Sequence, residues 1–315
     1  GVGLHSGLPV NLKLVPAPVG TGIVFKSVDI KSGISSGISS GISSVLGPVF
    51  IPVCASTVLS TYYSTTIGIA IGIDWVRVQT VEHLLAALYA FSIDNLFIEL
   101  DGEEVPIADG SSAPFVDLLL SAGEVSQEKE KMVLEIVEPL TIVDGEKKIS
   151  LFPVTHAGLE ISYHIAYQHP LIAKSSYSYL HSQNAFVEEI ASARTFGFLK
   201  DINKLLAKGY AKGGSLENAI VVGDDKILNP EQLRFEDEFV RHKILDLIGD
   251  IALLGMPIIG RIEAYHAGHQ LHTKLIETLR KNQTAFRMVP ARLRNETPQR
   301  RVSRTESPTL QAMAL

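Results

Sequence analysis

Twice along this chain, sequence with the period of a β-strand gives way to sequence with the period of a helix, and that order limits the fold more than any other feature. Residues 49–63 and 67–78 are rich in β-branched and aromatic side chains and read as strands; a helical pattern then starts abruptly at Thr80. The second block repeats the sequence of events. Residues 132–137, 140–143, 148–152 and 159–166 read as strands, with Asp144-Gly145 as a hairpin turn. Residues 201–210 follow as an amphipathic helix, 219–222 as a strand and 231–254 as the longest helix, closed by Gly255 with Pro257 beyond. Strands first and helices after, in two blocks, predict an α+β protein of two layered domains. The expected boundaries are 1–125 and 131–282, joined by the charged run 124–131. At 315 residues the chain is long enough for two cores.

Charge narrows the function. The net charge is −6, but the last 33 residues, from Gln283, hold six Arg against Glu296 and Glu306, which leaves the body before them at −10. Nonspecific nucleic-acid binding needs many cations neutralising phosphates, so no nucleic acid is expected as a partner. The Arg-rich segment 283–315 is read as a disordered terminus. Cys54 is the sole cysteine, which excludes an internal disulfide and favours a reducing compartment.

Residues 32–73 contain no charge, and 33–44 are three copies of Gly-Ile-Ser-Ser. The repeat is far shorter than a solenoid unit and reads as a low-complexity loop. Pro48, Pro52 and many Ser, Thr and Gly interrupt the uncharged stretch, so no transmembrane span is expected there. No signal-peptide pattern opens the chain at Gly1.

Two sites stand out as carriers of chemistry. With Thr80 as N-cap, residues 81–91 place Val81, Leu84, Leu85 and Leu88 on one stripe, with Glu82 and His83 elsewhere. In the longest helix Val240, Ile244, Leu247, Ile248 and Ile251 form the core stripe, while His242, Asp246 and Asp250 recur at i, i+4 and i+8 on another face. An imidazole and a carboxylate on successive turns can hold a divalent metal; a solvated His/Asp pair is the commoner meaning of an isolated HxxxD. Glu82-His83 offers a third ligand and an adjacent carboxylate to take a proton from water, and two His with one Asp leave a tetrahedral position open, as catalytic zinc sites do. Equally, Glu82 can simply complement its helix dipole. His266, His269 and His272, three apart in HAGHQLH, are a rival cluster, weakened because Gly268 argues against a helix there.

Six motifs then occur in order: TVEHLLAAL at 80–88, VPIADGSSAPF at 105–115, SARTFGFL at 192–199, GGSLENAIVV at 213–222, LRFEDEFVRHKILDLIGD at 233–250, and Gly268-His269. Together, and over residues 1 to about 282, the chain resembles the zinc-dependent UDP-3-O-acyl-N-acetylglucosamine deacetylases, enzymes of the committed step in lipid A synthesis. The resemblance implies two α/β sandwiches facing each other, with zinc (Zn2+) in the cleft between them. It implies His83, His242 and Asp246 as metal ligands, Glu82 as general base, and His269, oriented by Asp250, as the second acid/base group. It further implies that Thr195 stabilises the oxyanion, Phe196 lies against the sugar, Lys243 contacts substrate, and an insert near 196–212 borders a passage for the acyl chain. The substrate would be a UDP-linked acylated amino sugar and the location cytoplasmic, or organellar in a plant. The runners-up are a zinc deacetylase of another acylated sugar and a noncatalytic homologue that binds the acyl-sugar nucleotide. The family usually has a further strand before GVGLHSG, so the first sheet is expected to lack a member. Oligomeric state and acyl length are not legible.

Overall fold

The computed structural model describes residues 1–27 and 48–291; the Gly-Ile-Ser-Ser loop at 33–44 and the segment from 292 lie outside the described residues. In chain order, β1 (Leu12–Pro16), β2 (Ile23–Ser27), β3 (Val49–Pro52), β4 (Val58–Ser60), β5 (Thr66–Ile71) and β6 (Asp74–Val78) precede helix α1 (Glu82–Ala90), β7 (Leu96–Leu100) and α2 (Ala113–Ala122). Residues 123–131 contain neither helix nor strand. After them come β8 (Met132–Ile136), β9 (Leu140–Asp144), β10 (Lys147–Phe152), β11 (Leu159–His169), β12 (Ile172–Leu180), the single turn α3 (Gln183–Ala185), β13 (Phe196–Phe198), α4 (Leu199–Ala207), β14 (Ile220–Val222), α5 (Glu238–Ile251), β15 (Ile258–Tyr265), α6 (His269–Lys281) and β16 (Phe286–Pro290). The fold is α+β, as the order of patterns predicts.

The strands form sheets that do not mix the two blocks. Early strands make a sheet of order β1-β7-β2-β3 and a separate β4-β5-β6 meander. Later ones make a sheet of order β12-β11-β15-β10-β9, with β8 pairing β15 and β16 pairing β8, and a short β13-β14 pair. Strand β11 shows why these sequences are strands: Leu159, Ile161, Tyr163 and Ile165 point inward at period two, and the residues between them do not. The buried apolar residues of both blocks are nevertheless one continuous cluster.

At its centre lie α1 and α5. In α1 every residue from Glu82 to Leu88 is buried, so His83 is not on an outer face as the stripe of leucines suggests; α5 covers that side. Gly249 makes the contact possible, because its backbone lies directly against that of Glu82. Charged residues on both helices are therefore carried into the core by the packing of one helix on the other.

Several expectations are corrected. The longest helix begins at Glu238 and not at 231, because the Glu238 carboxylate turns back to accept the Arg234 backbone N–H at 2.6 Å and Arg194 Nε at 2.8 Å, holding 231–237 out of the helix. Thr80 is no N-cap: its φ is +57°, Val81 holds that position, and its hydroxyl donates instead to Glu104 at 3.0 Å. The Arg-rich segment from Gln283 is not a disordered terminus at its start, since β16 pairs antiparallel with β8 from Phe286 to Pro290. Strands β1, β2, β12, β13, β15 and β16 and helices α3 and α6 are not anticipated by the sequence patterns. Among the described residues no helix is long and apolar enough to cross a membrane.

Candidate metal centre

Helix α5 aligns His242, Asp246 and Asp250 on successive turns, and α1 crosses it so that Glu82 and His83 face them. His83 Nε2 lies 3.7 Å and His242 Nε2 3.3 Å from Asp246 Oδ1. The two imidazoles meet edge to face at 5.0 Å between ring centres. One ligand atom from each of His83, His242 and Asp246 falls within 4.8 Å of the others, and all three residues are buried.

The donor set fits a divalent ion. Tetrahedral coordination at ~2.0–2.2 Å places ligand atoms roughly 3.3–3.6 Å apart, and the observed separations from Asp246 are 3.3 and 3.7 Å. His242 Nδ1 donates to the Ala193 carbonyl at 3.0 Å, which leaves the Nε2 lone pair toward the centre. Burial pushes the His242 pKa down to about 3, against the pull of Asp246, so the ring is neutral as a ligand must be. Asp246 is buried, which raises its pKa, but His242 and Lys243 outweigh that and hold it well below the usual carboxylate range. His83 turns Nε2 toward the centre, 3.7 Å from Asp246 Oδ1 and beyond hydrogen-bonding distance of it, where a metal would give that nitrogen a partner; its buried Nδ1, on the other side of the ring, has none.

Glu82 sits beside this triad. Its Oε2 accepts the Thr65 backbone N–H at 3.1 Å, and its Oε1 lies 3.7 Å from His269 Nε2. Burial raises its pKa, with His269 and His83 opposing. His269, the first residue of α6, donates Nδ1–H to Asp250 Oδ2 at 2.8 Å. Burial lowers the His269 pKa, but the Asp250, Glu82 and Asp246 carboxylates prevail and lift it to about 9. Lys243 Nζ reaches Asp246 Oδ2 at 2.5 Å. Thr195 follows two residues after Ala193, its N–H donating to Gly110 and its carbonyl accepting from Ile220. Phe196 packs edge to face on Phe239 at 5.0 Å and on His242 at 6.3 Å.

Glu82, His83, His242, Lys243, Asp246, Asp250 and His269 are thus brought together around one centre, Phe196 packs on His242, and Thr195 directly precedes Phe196 in the chain. The insert helix α4 lies at the surface, against β13: none of its residues is buried, and Leu206 is exposed. Sequence reasoning passed over Thr65, whose hydroxyl donates to Asp250 Oδ1 at 2.5 Å, and Tyr163, which bonds His272 at 3.0 Å. It misread the HAGHQLH run. Gly268 does not forbid a helix but caps one, and His269 and His272 share a face of its first turn. His266 lies outside the group formed by Asp250, His269 and His272.

The family model for UDP-3-O-acyl N-acetylglycosamine deacetylase matches residues 1–281. The chain is 49% identical over 294 residues to the UDP-3-O-acyl-N-acetylglucosamine deacetylase of Myxococcus xanthus (strain DK1622), covering 93% of this chain and 87% of that protein. It is 43% identical to the protein of the same name from Geobacter sp. (strain M21), over 92% of this chain and 88% of the relative. For that of Saccharophagus degradans (strain 2-40 / ATCC 43961 / DSM 17024) the identity is 45%, over 92% and 89%. With a family match over nearly the whole described chain and relatives this similar along their length, the chain belongs to the UDP-3-O-acyl-N-acetylglucosamine deacetylase family of hydrolytic enzymes.

Proposed function

We propose that this chain removes acetate from the 2-acetamido group of UDP-3-O-acyl-N-acetylglucosamine in lipid A biosynthesis, using zinc held by His83, His242 and Asp246. The observation that carries the reading is the convergence of His83, His242 and Asp246, all buried and each offering a ligand atom within 4.8 Å of the others, beside Glu82. A zinc ion bound there supplies Lewis acidity to the amide carbonyl and acidifies water.

The chain's own groups divide the remaining work. Glu82 Oε2 is tied to the Thr65 N–H, which fixes the carboxylate so that Oε1 is the oxygen free to take a proton from water. Its raised pKa brings it nearer the range in which a general base works at neutral pH. His269 holds a proton on Nε2, 3.7 Å from Glu82 Oε1, and donates it to the departing amine; Asp250 orients its ring. Its positive charge also favours an anionic diphosphate substrate. The Thr195 hydroxyl stabilises the oxyanion, a role that needs a donor aimed where charge develops. Phe196 offers an aromatic face to the sugar, and Lys243, paired with Asp246, a cationic contact.

Residues 1–125 and 131–282 are read as two sandwich domains with the site in the cleft between them. Support comes from sheets that do not mix across 123–131 and from α1 and α5, one from each block, meeting at the centre. The single cysteine suits a cytoplasmic location. The exposed amphipathic α4 is assigned to the border of an acyl-chain passage, where each buried methylene contributes ~0.8 kcal/mol.

The test is acetate release by the purified protein, with and without a chelator, alongside its metal content. Chelator-sensitive release that returns on adding zinc is expected, with kcat/KM rising steeply from UDP-N-acetylglucosamine to its 3-O-acylated form. Comparable kcat/KM for the two substrates overturns the lipid A assignment, and release indifferent to the chelator overturns the zinc site.

A further inference from the structure

Asp250 has no solvent exposure, and its carboxylate is held by three side chains from outside its own helix. Oδ1 accepts the Thr65 hydroxyl at 2.5 Å. Oδ2 accepts two imidazoles, His269 Nδ1 at 2.8 Å and His272 Nδ1 at 2.7 Å. His272 is itself fully buried, and its other nitrogen, Nε2, lies 3.0 Å from the Tyr163 hydroxyl on β11. An ionised carboxylate only accepts, so the 2.7 Å contact with Asp250 Oδ2 places the proton on His272 Nδ1, and in the neutral ring Nε2 then accepts the Tyr163 hydroxyl. A one-way chain of donors therefore runs from the second sheet through Tyr163 and His272 to Asp250, where it meets the His269 ring.

We infer that His272, fixed by Tyr163, is a positioning residue for His269: by occupying one donor place on Asp250 Oδ2 it locks the carboxylate in the single orientation that aims His269 Nε2 at Glu82. A carboxylate oxygen has two lone-pair directions. With His272 on one of them and Thr65 on the other oxygen, the direction left to His269 is fixed. Without His272 the carboxylate gains a degree of rotation, and the ring hanging from it turns too. His269 Nε2 is 3.7 Å from Glu82 Oε1 and 4.0 Å from Asp246 Oδ2, so small rotations change which group it faces. The inference rests on His269 being the proposed acid/base group.

Three substitutions separate orientation from packing. His272→Leu keeps volume and removes both bonds. Asn places an amide N–H near the position of Nδ1, so His272→Asn keeps the bond to Asp250 and drops Tyr163. Gln reaches the position of Nε2, so His272→Gln keeps Tyr163 and drops Asp250. For purified variants with metal content and thermal unfolding measured beside them, kcat is expected to fall roughly tenfold or more in His272→Leu and His272→Gln with KM within about twofold. His272→Asn should stay within about threefold of the parent in kcat. If His272→Leu does not fold, the Asn and Gln pair decides alone. Equal kcat in those two variants overturns the inference, because it means the residue acts by packing. A rise in KM without a fall in kcat overturns it as well. His269→Ala is the control for the underlying reading: if it retains kcat, the role of His269 fails, whereas a large loss there with His272 variants unaffected defeats only the present inference.

Discussion

Replacing Gly249 by Ala tests whether the closeness of α1 and α5 sets the geometry of the centre. A methyl built on Gly249 stands 2.0 Å from the Glu82 carbonyl oxygen, 2.7 Å from its carbonyl carbon and 2.8 Å from its Cα. Contacts of this kind under 3.0 Å essentially do not occur, and the atoms met are backbone. Interiors are close-packed, so the helices must part by at least about 1 Å. Overpacking of this sort costs ~1–3 kcal/mol, while the better helix propensity of Ala returns up to ~1 kcal/mol. A drop of a few degrees in Tm follows, at ~2–4 °C per kcal/mol for about 150–250 residues folding together. The site suffers more than the fold, because Glu82 and His83 ride on one helix and His242 and Asp246 on the other. A misplacement of ~1 Å is worth up to ~10²-fold in rate. Circular dichroism should show a folded protein, with metal bound more weakly and kcat/KM for deacetylation ten- to a hundredfold lower, roughly. Full metal occupancy with unchanged kcat/KM would refute the reasoning.

Replacing Glu82 with Ala should leave metal bound and lower turnover by roughly 10²–10⁴, whereas His83→Ala should lose the metal as well; equal metal loss in both would make Glu82 a ligand or a prop. His181 predicts an acid limb in stability: burial takes its pKa from 6.5 to about 4, so the neutral ring's contribution is complete above pH 6.5 and disappears as pH falls toward 4. The span corresponds to roughly 3 kcal/mol at ~1.36 kcal/mol per pKa unit, and urea unfolding of His181→Gln should show a flatter slope across that window; an identical slope removes His181 as its source. Glu238→Ala leaves the buried Arg194 without its main partner, 2.8 Å away, and should cost ~3–5 kcal/mol; a loss under 1 kcal/mol in denaturant would show that the pair is solvated in solution.

What was legible in the sequence is what helical periodicity encodes. His242, Asp246 and Asp250 share a face because 3.6 residues make a turn, and Glu82 and His83 are neighbours in the chain. The bonds that orient them are not encoded locally. Thr65 and Asp250 are 185 residues apart, Tyr163 and His272 109. Nor did local patterning show which face of α1 is buried, because a helix enclosed on all sides has no outer face for its stripe of leucines to oppose. Gly268 misled for a related reason. A glycine weakens the interior of a helix but suits its N-cap, and only the position of the helix start tells the two apart. At Glu231 the pattern ran seven residues ahead of the helix, because Glu238 spends its carboxylate on Arg194 and the Arg234 N–H.

The polar groups of the core can be followed atom by atom, and this locates the chemistry without reference to sequence motifs. Glu238 is satisfied by Arg194, Asp250 by Thr65 and two imidazoles, His242 Nδ1 by Ala193, and Glu104 by His5, Ser6 and Thr80. Each of these buried groups is held by the protein, as buried polar groups must be. His83 is the exception within α1 and α5, with its Nδ1 unpartnered and its Nε2 facing His242 Nε2 and an ionised Asp246. Two imidazole nitrogens and an ionised carboxylate converging in the core form a donor set that a cation between them would satisfy. The same three groups in an isolated core would be a defect. Beside Glu82, and backed by Asp250 and His269, they make the arrangement on which the proposed metal chemistry rests.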